Sequence, residues 1–131
     1  MSESITIIIR IPPIELTQNA RVHWDKRRKL TRQVRYEGNI ITIGEMIKNN
    51  MVPHEPWCKA ELQATFYWAS LRRRDSGNAM SRLKATIDGI VDAGLIKDDR
   101  YEVLREMPPL FMYDKKNPRV QITIKKGWSD V

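Results

Sequence analysis

The chain has 131 residues, of which 41% are hydrophobic and 30% are charged. This length fits one domain with its own core, and the composition excludes a disordered chain. The longest apolar run, residues 5–11, is interrupted by Thr6 and Arg10, so we expect no transmembrane span and no membrane partner. The formal net charge of +7 favours a polyanionic partner, most often nucleic acid, over a merely soluble basic protein.

The first residues and the cysteine content bear on the cell compartment. The N-terminal segment lacks a basic stretch followed by an apolar block, which argues against export. Cys58 is the single cysteine and has no second thiol in the chain with which to form a disulfide. We therefore expect a reducing cytoplasm, and we interpret Cys58 as a partly buried thiol beside Trp57.

Residues 4–11 alternate between two faces, with isoleucines at the odd positions, and this predicts a well-covered strand that ends at Pro12-Pro13. A loop follows, and Asp25 is a suitable N-cap for a long basic helix that continues to about residue 50. Gly38 and Gly44 are candidate break points in that helix. An imperfect apolar stripe runs along it: Leu30, Val34, Ile41 and Met46.

The second half of the chain predicts further strands and one more helix. Residues 60–68 form a strand pattern, and a helix is predicted over 78–93, ending at Gly94. Strands are predicted at 100–107 and 119–125, with a loop over 108–118 between them. Strands and helices mixed in this order, with few parallel crossovers, indicate an α+β fold in a single domain that spans residues 1–131.

The predicted helix over 78–93 carries two stripes. The first is apolar and faces the core: Ala79, Leu83, Ile87, Ile90 and Val91. The second places Lys84 before Asp88 and Asp92 at intervals of four residues, which is the weaker order for helical ion pairs and opposes the helix dipole. Local helix stability therefore did not select these three charges.

Residues 72–78 read RRRDSGN, and a second acidic pair, Asp98-Asp99, follows the helix. Helix capping explains one polar residue of the first segment, but it does not explain the arginines or the second acidic pair. A helix that packs back on a sheet can bring both segments together. Carboxylates gathered in this way suit Mg²⁺, which takes one or two of them plus substrate phosphate, and a nearby lysine suits the charge of a phosphodiester under attack.

The order of these motifs resembles the RusA family of Holliday junction resolvases, which are phage-associated endodeoxyribonucleases. The matching parts of this chain come in order: Pro12-Pro13, Asn19-x-Arg21-x-His23-Trp24 ahead of the basic helix, RRRD at 72–75, Asn78, Lys84, DGIVDAG at 88–94, and Asp98-Asp99. The resemblance covers most of the chain.

The resemblance implies a mixed α+β fold, a homodimer, and Mg²⁺-dependent cleavage of four-way or branched DNA in recombination and repair. It makes Asp75, Lys84 and Asp99 the catalytic residues, and Asp75, Asp99 and the neighbouring Asp98 the metal-binding residues. The DNA contacts expected from the resemblance and from the basic clusters are Arg72, Arg73, Arg74, Asn78, Arg21, His23, Lys26, Arg27, Arg28 and Lys29.

One position departs from the family pattern. Gly77 stands where the best-known members carry a second aspartate, and Asp88 or Asp98 are candidates to replace it. The alternative function is therefore a noncatalytic protein that binds junctions or duplex DNA, a decayed nuclease. Two interpretations of His23 also stay open, a DNA contact and a structural aromatic corner with Trp24, whereas His54 is predicted to be a surface residue.

Overall fold

A computed structural model describes residues 3–128 and shows an α+β domain with a five-stranded mixed sheet. The predicted fold class is confirmed. The elements in chain order are strand β1 (Ser4–Ile9), a 3-10 turn (Ile14–Leu16), helix α1 (Trp24–Lys48), strand β2 (Ala60–Trp68), helices α2 (Ser76–Ser81) and α3 (Lys84–Asp92), and strands β3 (Leu104–Glu106), β4 (Leu110–Tyr113) and β5 (Arg119–Lys126).

Strand β2 is the centre of the sheet. One of its edges pairs antiparallel with β5, which pairs antiparallel with β1 in turn. The other edge pairs parallel with two short strands, first β3, where Ala60 lies opposite Leu104, and then β4, where Trp68 lies opposite Tyr113. The residues between β3 and β4 include Pro108 and Pro109, and proline cannot donate to a sheet ladder, which accounts for the interruption.

The core lies between the sheet and the helices. Alternate residues of β2 and β5 are buried, as are the odd-numbered isoleucines of β1, while Ile8 faces outward. The apolar stripe predicted for the second helix is also confirmed, since four of its members are buried and Val91 packs against them. The alternate buried residues of the strands and the apolar residues of α3 at helical spacing thus pack into one core.

Helices α1 and α3 approach each other through two glycines. A methyl group added to Gly89 of α3 would lie 2.2 Å from the carbonyl oxygen of Arg35, and one added to Gly38 of α1 would lie 2.9 Å from the carbonyl oxygen of Thr86. Such distances leave no room for a Cβ atom. Gly38 is therefore a contact position inside a continuous helix, and α1 also runs unbroken through Gly44.

The N-terminus of α1 differs from the prediction. The cap is His23, whose Nδ1 accepts a hydrogen bond from the backbone N–H of Asp25 at 3.2 Å. Asp25 itself lies in the first turn and pairs with Arg28 and Lys29. The prediction of Asp25 as N-cap was wrong by two residues, because an imidazole nitrogen supplies the acceptor here.

The helix predicted over 78–93 is two helices. Arg82 and Leu83 separate them, with the N–H of Arg82 bonded to the carbonyl of Ala79 in a tight turn and the Leu83 side chain fully buried. The Arg82 guanidinium donates to the carbonyl oxygen of Pro12 from Nε at 2.9 Å and from Nη2 at 2.5 Å. These tertiary contacts fix the break, which the apolar periodicity alone does not reveal.

Four smaller predictions were also wrong. The strand predicted at 100–107 is limited to β3, and the predicted loop over 108–118 contains β4, whose residues are exposed on both faces and so show no alternation. Cys58 is exposed rather than partly buried. His54 is half-buried, with Nε2 3.1 Å from the carbonyl oxygen of Leu95 and its ring edge-on to Trp57.

Within residues 3–128, no helix is long and apolar enough to cross a membrane.

Candidate active site

Lys84, the first residue of α3, lies between two carboxylates. Its Nζ is 3.1 Å from Oδ1 of Asp88, one turn further along the helix, and it also contacts the carboxylate of Asp99 from the loop that follows α3. The sequence predicted the first pair from its spacing of four residues. The fold adds Asp99 across fifteen positions of sequence and so completes a three-residue cluster.

The charges of this cluster support one another. The hydrogen bond to Asp99 raises the pKa of Lys84 above its ordinary value, with a further contribution from Asp88. The same hydrogen bond holds the pKa of Asp99 below its ordinary value. Both groups are therefore ionised at neutral pH, and a fixed ammonium stands beside a fixed carboxylate.

Asp98 and Glu106 surround the cluster. The Oδ1 atom of Asp98 accepts from the backbone N–H of Asp99 at 2.7 Å, and its other oxygen lies 3.3 Å from Arg100, so Asp98 orients the turn that presents Asp99. Partial burial of the carboxylate raises the pKa of Glu106, Asp99 raises it further, and Lys84 opposes the change. Glu106 was not predicted, since no motif marks the last residue of a three-residue strand.

The cluster is open to solvent on two sides. Lys84 and Asp88 line a cleft of about 300 Å³ together with Gln18, Arg27 and Ser81. Asp99 and Glu106 line a second cleft of about 360 Å³, with Arg105 and Tyr101 on its walls. Because the side chain of Lys84 is 66% exposed, an anion from solution can reach its ammonium group without a rearrangement of the fold.

Asp75 has different surroundings. Its Oδ1 atom caps α2 by accepting from the backbone N–H groups of Gly77 at 2.7 Å and Asn78 at 3.1 Å. A methyl group added at Gly77 would lie 3.2 Å from that same oxygen, so the missing side chain leaves room for this cap. Asp75 and Asn78 line a cleft of about 230 Å³ whose lining residues do not include Lys84 or Asp99.

The three arginines before Asp75 line this same cleft but are held differently. Arg74 stacks on the ring of Trp68, with 3.9 Å from its guanidinium carbon to the ring centroid, and donates to Oγ of Ser70 at 3.1 Å. Burial, together with the charge of Arg72, lowers the pKa of Arg74. Arg72 and Arg73 are exposed and form no ion pair with any carboxylate in residues 3–128, so their charge is available to a ligand.

The remaining basic positions lie near the N-terminus of α1. Arg27 is partly structural, because it donates to the carbonyl oxygens of Thr17 at 3.3 Å and Ala20 at 3.0 Å. Most of the other predicted contacts are exposed, among them Arg21, His23, Lys26, Arg28 and Lys29. The Oδ1 atom of Asn78 accepts from Asn19 at 3.4 Å, which links α2 to the loop before α1.

Divalent cations are a chemical match for part of this donor set. Asp88 and Asp99 already face a common positive charge, and two carboxylates meet the small number of protein ligands that Mg²⁺ takes. The trio expected from the resemblance, Asp75, Asp98 and Asp99, is not assembled: residues 3–128 contain no group of three or more His, Cys, Asp or Glu side chains arranged to hold a metal. The structure brings together Lys84, Asp88 and Asp99 instead.

Comparison with known proteins gives one relative and no family. No family model matches the chain. A protein of Xylella fastidiosa (strain Temecula1 / ATCC 700964), described as an uncharacterized protein, is 32% identical over 90 residues, which is 69% of this chain and 58% of the relative. The matched part is therefore less than two thirds of the length of that relative.

Proposed function

We propose that this protein is a structure-specific endodeoxyribonuclease of the RusA type, which cleaves four-way DNA junctions in recombination and repair. The observation that carries the proposal is the contact of Lys84 with both Asp88 and Asp99 in an open cleft. A lysine paired with two carboxylates, with Arg27 lining the same cleft, is a setting suited to a phosphodiester.

The proposed chemistry assigns a role to each member of the cluster. Lys84 binds a nonbridging oxygen of the scissile phosphate as a fixed positive charge, since its raised pKa keeps it protonated. Asp99 and Asp88 hold the ammonium group in place and are the candidate oxygen ligands for Mg²⁺, while Asp75 and Asp98 are candidate ligands through the resemblance alone. Mg²⁺ held by these carboxylates would supply an activated water molecule and a positive charge opposite the developing negative charge.

The proposed partner is DNA, and two exposed basic regions support it. The first is Arg72 and Arg73 beside the Asp75 cleft, and the second is the N-terminal half of α1. Each phosphate contact contributes about 0.9 to the slope of log K against log salt on duplex DNA. The double variant Arg72→Ala/Arg73→Ala should therefore lower that slope by about 2, and an unchanged slope removes this pair from the binding face.

The proposed assembly is a homodimer, and the proposed location is the cytoplasm. A four-way junction offers two symmetric strands for cleavage, and a two-fold dimer presents two equivalent sites to them. The location rests on the exposed Cys58, a free thiol of the kind that a reducing compartment maintains.

A second candidate function is noncatalytic binding of junctions or duplex DNA. Gly77 and the capping role of Asp75 favour it, because one carboxylate of the family pattern is absent and another is already hydrogen-bonded to the backbone. In this case the basic surfaces retain their role and the Lys84 cluster is a structural ion pair.

Incubation of the purified protein with an end-labelled four-way junction separates the two candidates. If the protein is a nuclease, we expect symmetric nicks with Mg²⁺ that are absent with EDTA, together with a gel shift under both conditions. A shift without nicks at every metal concentration supports the binding protein instead. A linear duplex of the same sequence is the control, and equal cleavage of both substrates contradicts structure specificity.

A further inference from the structure

Trp24, the first residue of α1, is a tryptophan that the core does not use. It is 68% exposed, whereas Trp57 and Trp68 are buried at 3% and 6%. Its place is fixed by the helix end, because His23 caps α1 beside it and the two ring centroids lie 5.5 Å apart. A single exposed apolar side chain is common on proteins, so the surroundings of Trp24 decide what it can bind.

Trp24 lines a cleft that runs along α1. The cleft holds about 440 Å³, and its lining residues all belong to this helix: Trp24, Arg27, Arg28, Thr31, Arg32 and Arg35. The guanidinium carbon of Arg28 lies 5.5 Å from the centroid of the Trp24 ring, within reach of a cation–π contact. The cleft therefore combines one flat apolar ring with a cationic wall.

The positive charge of this region exceeds the negative charge that reaches it. Residues 21–35 contain seven lysines and arginines. Three carboxylates form ion pairs with members of this set, one from α1, one from the 3-10 turn and one from α3: Asp25, Glu15 and Asp92. The charge of Asp88 also acts on Arg35, but Asp88 pairs with Lys84. Seven cations against three acids leave four positive charges in excess.

The Trp24 cleft adjoins the cleft of the Lys84 cluster. Arg27 and Thr31 line both clefts, and the second is also lined by Lys84 and Asp88. A DNA strand with one phosphate at Lys84 therefore reaches Trp24 by passing Arg27 and Thr31. Arg27 and Arg32 form no ion pair with any carboxylate in residues 3–128, so both are free to meet the phosphates of such a strand.

The combination of one aromatic ring with several cations fits a nucleotide. A base stacks on the indole ring, and arginines bind the phosphates that flank it. Bases inside a duplex are stacked on their neighbours, so the ring is available only to an unpaired base or to one at a strand end. A lipid surface fits less well, because Thr31 rather than an apolar side chain lies among the arginines of the cleft.

We propose that Trp24 stacks on an unpaired base of a DNA strand that enters the Lys84 cleft, while Arg27 and Arg32 bind its flanking phosphates. This role rests on DNA as the partner proposed above, but not on cleavage. The resemblance to the RusA family assigns no role to Trp24. A base leaves the stack most readily where DNA branches or is single-stranded, so Trp24 adds a preference for such substrates over a continuous duplex.

Binding of two single-stranded oligonucleotides of equal length tests the stacking directly. One is oligothymidylate, and the other carries abasic sites in place of every base and so keeps only the phosphates. Trp24→Ala should weaken binding of oligothymidylate by about 10-fold and leave binding of the abasic strand unchanged, while Trp24→Phe should keep most of the affinity. An equal loss on both strands, or no loss on oligothymidylate, overturns the proposal.

Tyr36 supplies the matched control. It is another exposed aromatic residue of α1, at 65%, and it does not line the cleft. Tyr36→Ala should therefore bind both oligonucleotides as the wild type does, and a loss equal to that of Trp24→Ala overturns the assignment to Trp24. Circular dichroism of each variant verifies that it is folded.

The salt dependence separates the stacking contact from the phosphate contacts. Trp24→Ala removes no charge and should keep the slope of log K against log salt, whereas Arg32→Ala should lower that slope by about 0.7 on a single strand. A lower slope for Trp24→Ala, or an unchanged slope for Arg32→Ala, overturns the proposed arrangement.

Vesicles that contain anionic phospholipid test the competing occupant. Binding of vesicles that depends on Trp24, together with oligothymidylate binding that does not, assigns the surface to lipid and overturns the proposal. None of these measurements includes a cleavage step. A protein that fails to nick junctions but binds oligothymidylate through Trp24 keeps the stacking site and loses the nuclease, so the two failures are distinguishable.

Discussion

The carboxylate before α2, Asp75, and those around Lys84 belong to the same predicted site, yet the fold holds them in different ways. Asp75 accepts hydrogen bonds from backbone N–H groups two and three residues ahead of it. Asp99 instead faces the ammonium of Lys84, fifteen residues away in sequence. The first arrangement needs only a local turn, whereas the second exists only when α3 and the following loop are in place.

The difference shows which observations bear on function. Capping alone accounts for the geometry of Asp75, and Asp is among the residues preferred at that position. Local structure does not account for the contact of Lys84 with Asp99, and the order of Lys84 before Asp88 within α3 opposes the helix dipole. The functional proposal is therefore carried by the Lys84 cluster, and Asp75 contributes to it only through the resemblance to the RusA family.

The largest expected effect is on catalysis. Lys84→Ala should lower the single-turnover rate of junction cleavage by about 100-fold or more, since it removes the group that stabilises charge on the phosphate. Junction affinity should change little, because Lys84 is one phosphate contact among many. The matched control is Lys97→Ala, an exposed lysine just beyond α3. Equal rates for the two variants would remove Lys84 from the site.

A large effect on stability is expected at the contact between Gly89 of α3 and the backbone of α1. Gly89→Ala should destabilise the fold by about 3 kcal/mol or more, because its Cβ meets the backbone of α1. Gly44→Ala has open space around it and should stabilise the fold by about 1 kcal/mol. Thermal or urea unfolding measures both variants. A neutral Gly89→Ala would show that α3 can shift, and with it the Lys84 cluster.

Substitution of Asp75 should have a smaller effect, and it distinguishes a role as helix cap from a role in cleavage. Asp75→Ala should cost about 1 kcal/mol of stability through loss of the cap, whereas Asp75→Asn keeps a capping oxygen and should change stability far less. Junction cleavage by Asp75→Asn should fall less than cleavage by Asp99→Asn. An equal fall, with stability unchanged, would place Asp75 in the same functional group as Asp99.

The smallest expected effect is on stability in acid. Ion pairs with Lys84 and Arg35 lower the pKa of Asp99 and Asp92 in the folded state. A lowered folded pKa contributes stability that is present above the ordinary carboxyl value of 3.8 and is lost as the pH falls through the folded value. The melting temperature should therefore drop in that window, and Lys84→Ala should remove the part due to Asp99. An identical acid profile in wild type and Lys84→Ala would contradict the pairing.

The sequence predicts the parts of this molecule that depend on periodicity. The strand at β2, the long helix α1 and the apolar stripe of α3 were predicted from spacing and are confirmed, as is the α+β class. The break between α2 and α3 was not predicted, because it depends on contacts of Arg82 with Pro12, seventy residues away. Strand β4 was missed because both of its faces are exposed.

The candidate site, like the fold, was predicted from the sequence only in part. The Lys84–Asp88 pair follows from helical spacing. The resemblance assigned Lys84 and Asp99 to one site but did not predict the ion pair between them. Convergence of Asp75 with Asp98 and Asp99 was expected from a helix that returns over the sheet, but the cap on α2 orients Asp75 into a cleft of its own. Glu106 has no sequence signal, because its proximity to Asp99 arises from strand order alone.

The most direct test of the central claim compares two ion-paired carboxylates on either side of the C-terminus of α3. Asp99 and Asp92 each form an ion pair, with Lys84 and Arg35 respectively. Single-turnover cleavage and gel-shift affinity are measured on one labelled four-way junction for Asp99→Asn and Asp92→Asn. The account predicts that Asp99→Asn loses cleavage by orders of magnitude and keeps or tightens binding, while Asp92→Asn cleaves at the wild-type rate. Wild-type cleavage by Asp99→Asn, or an equal loss in both variants, would contradict it.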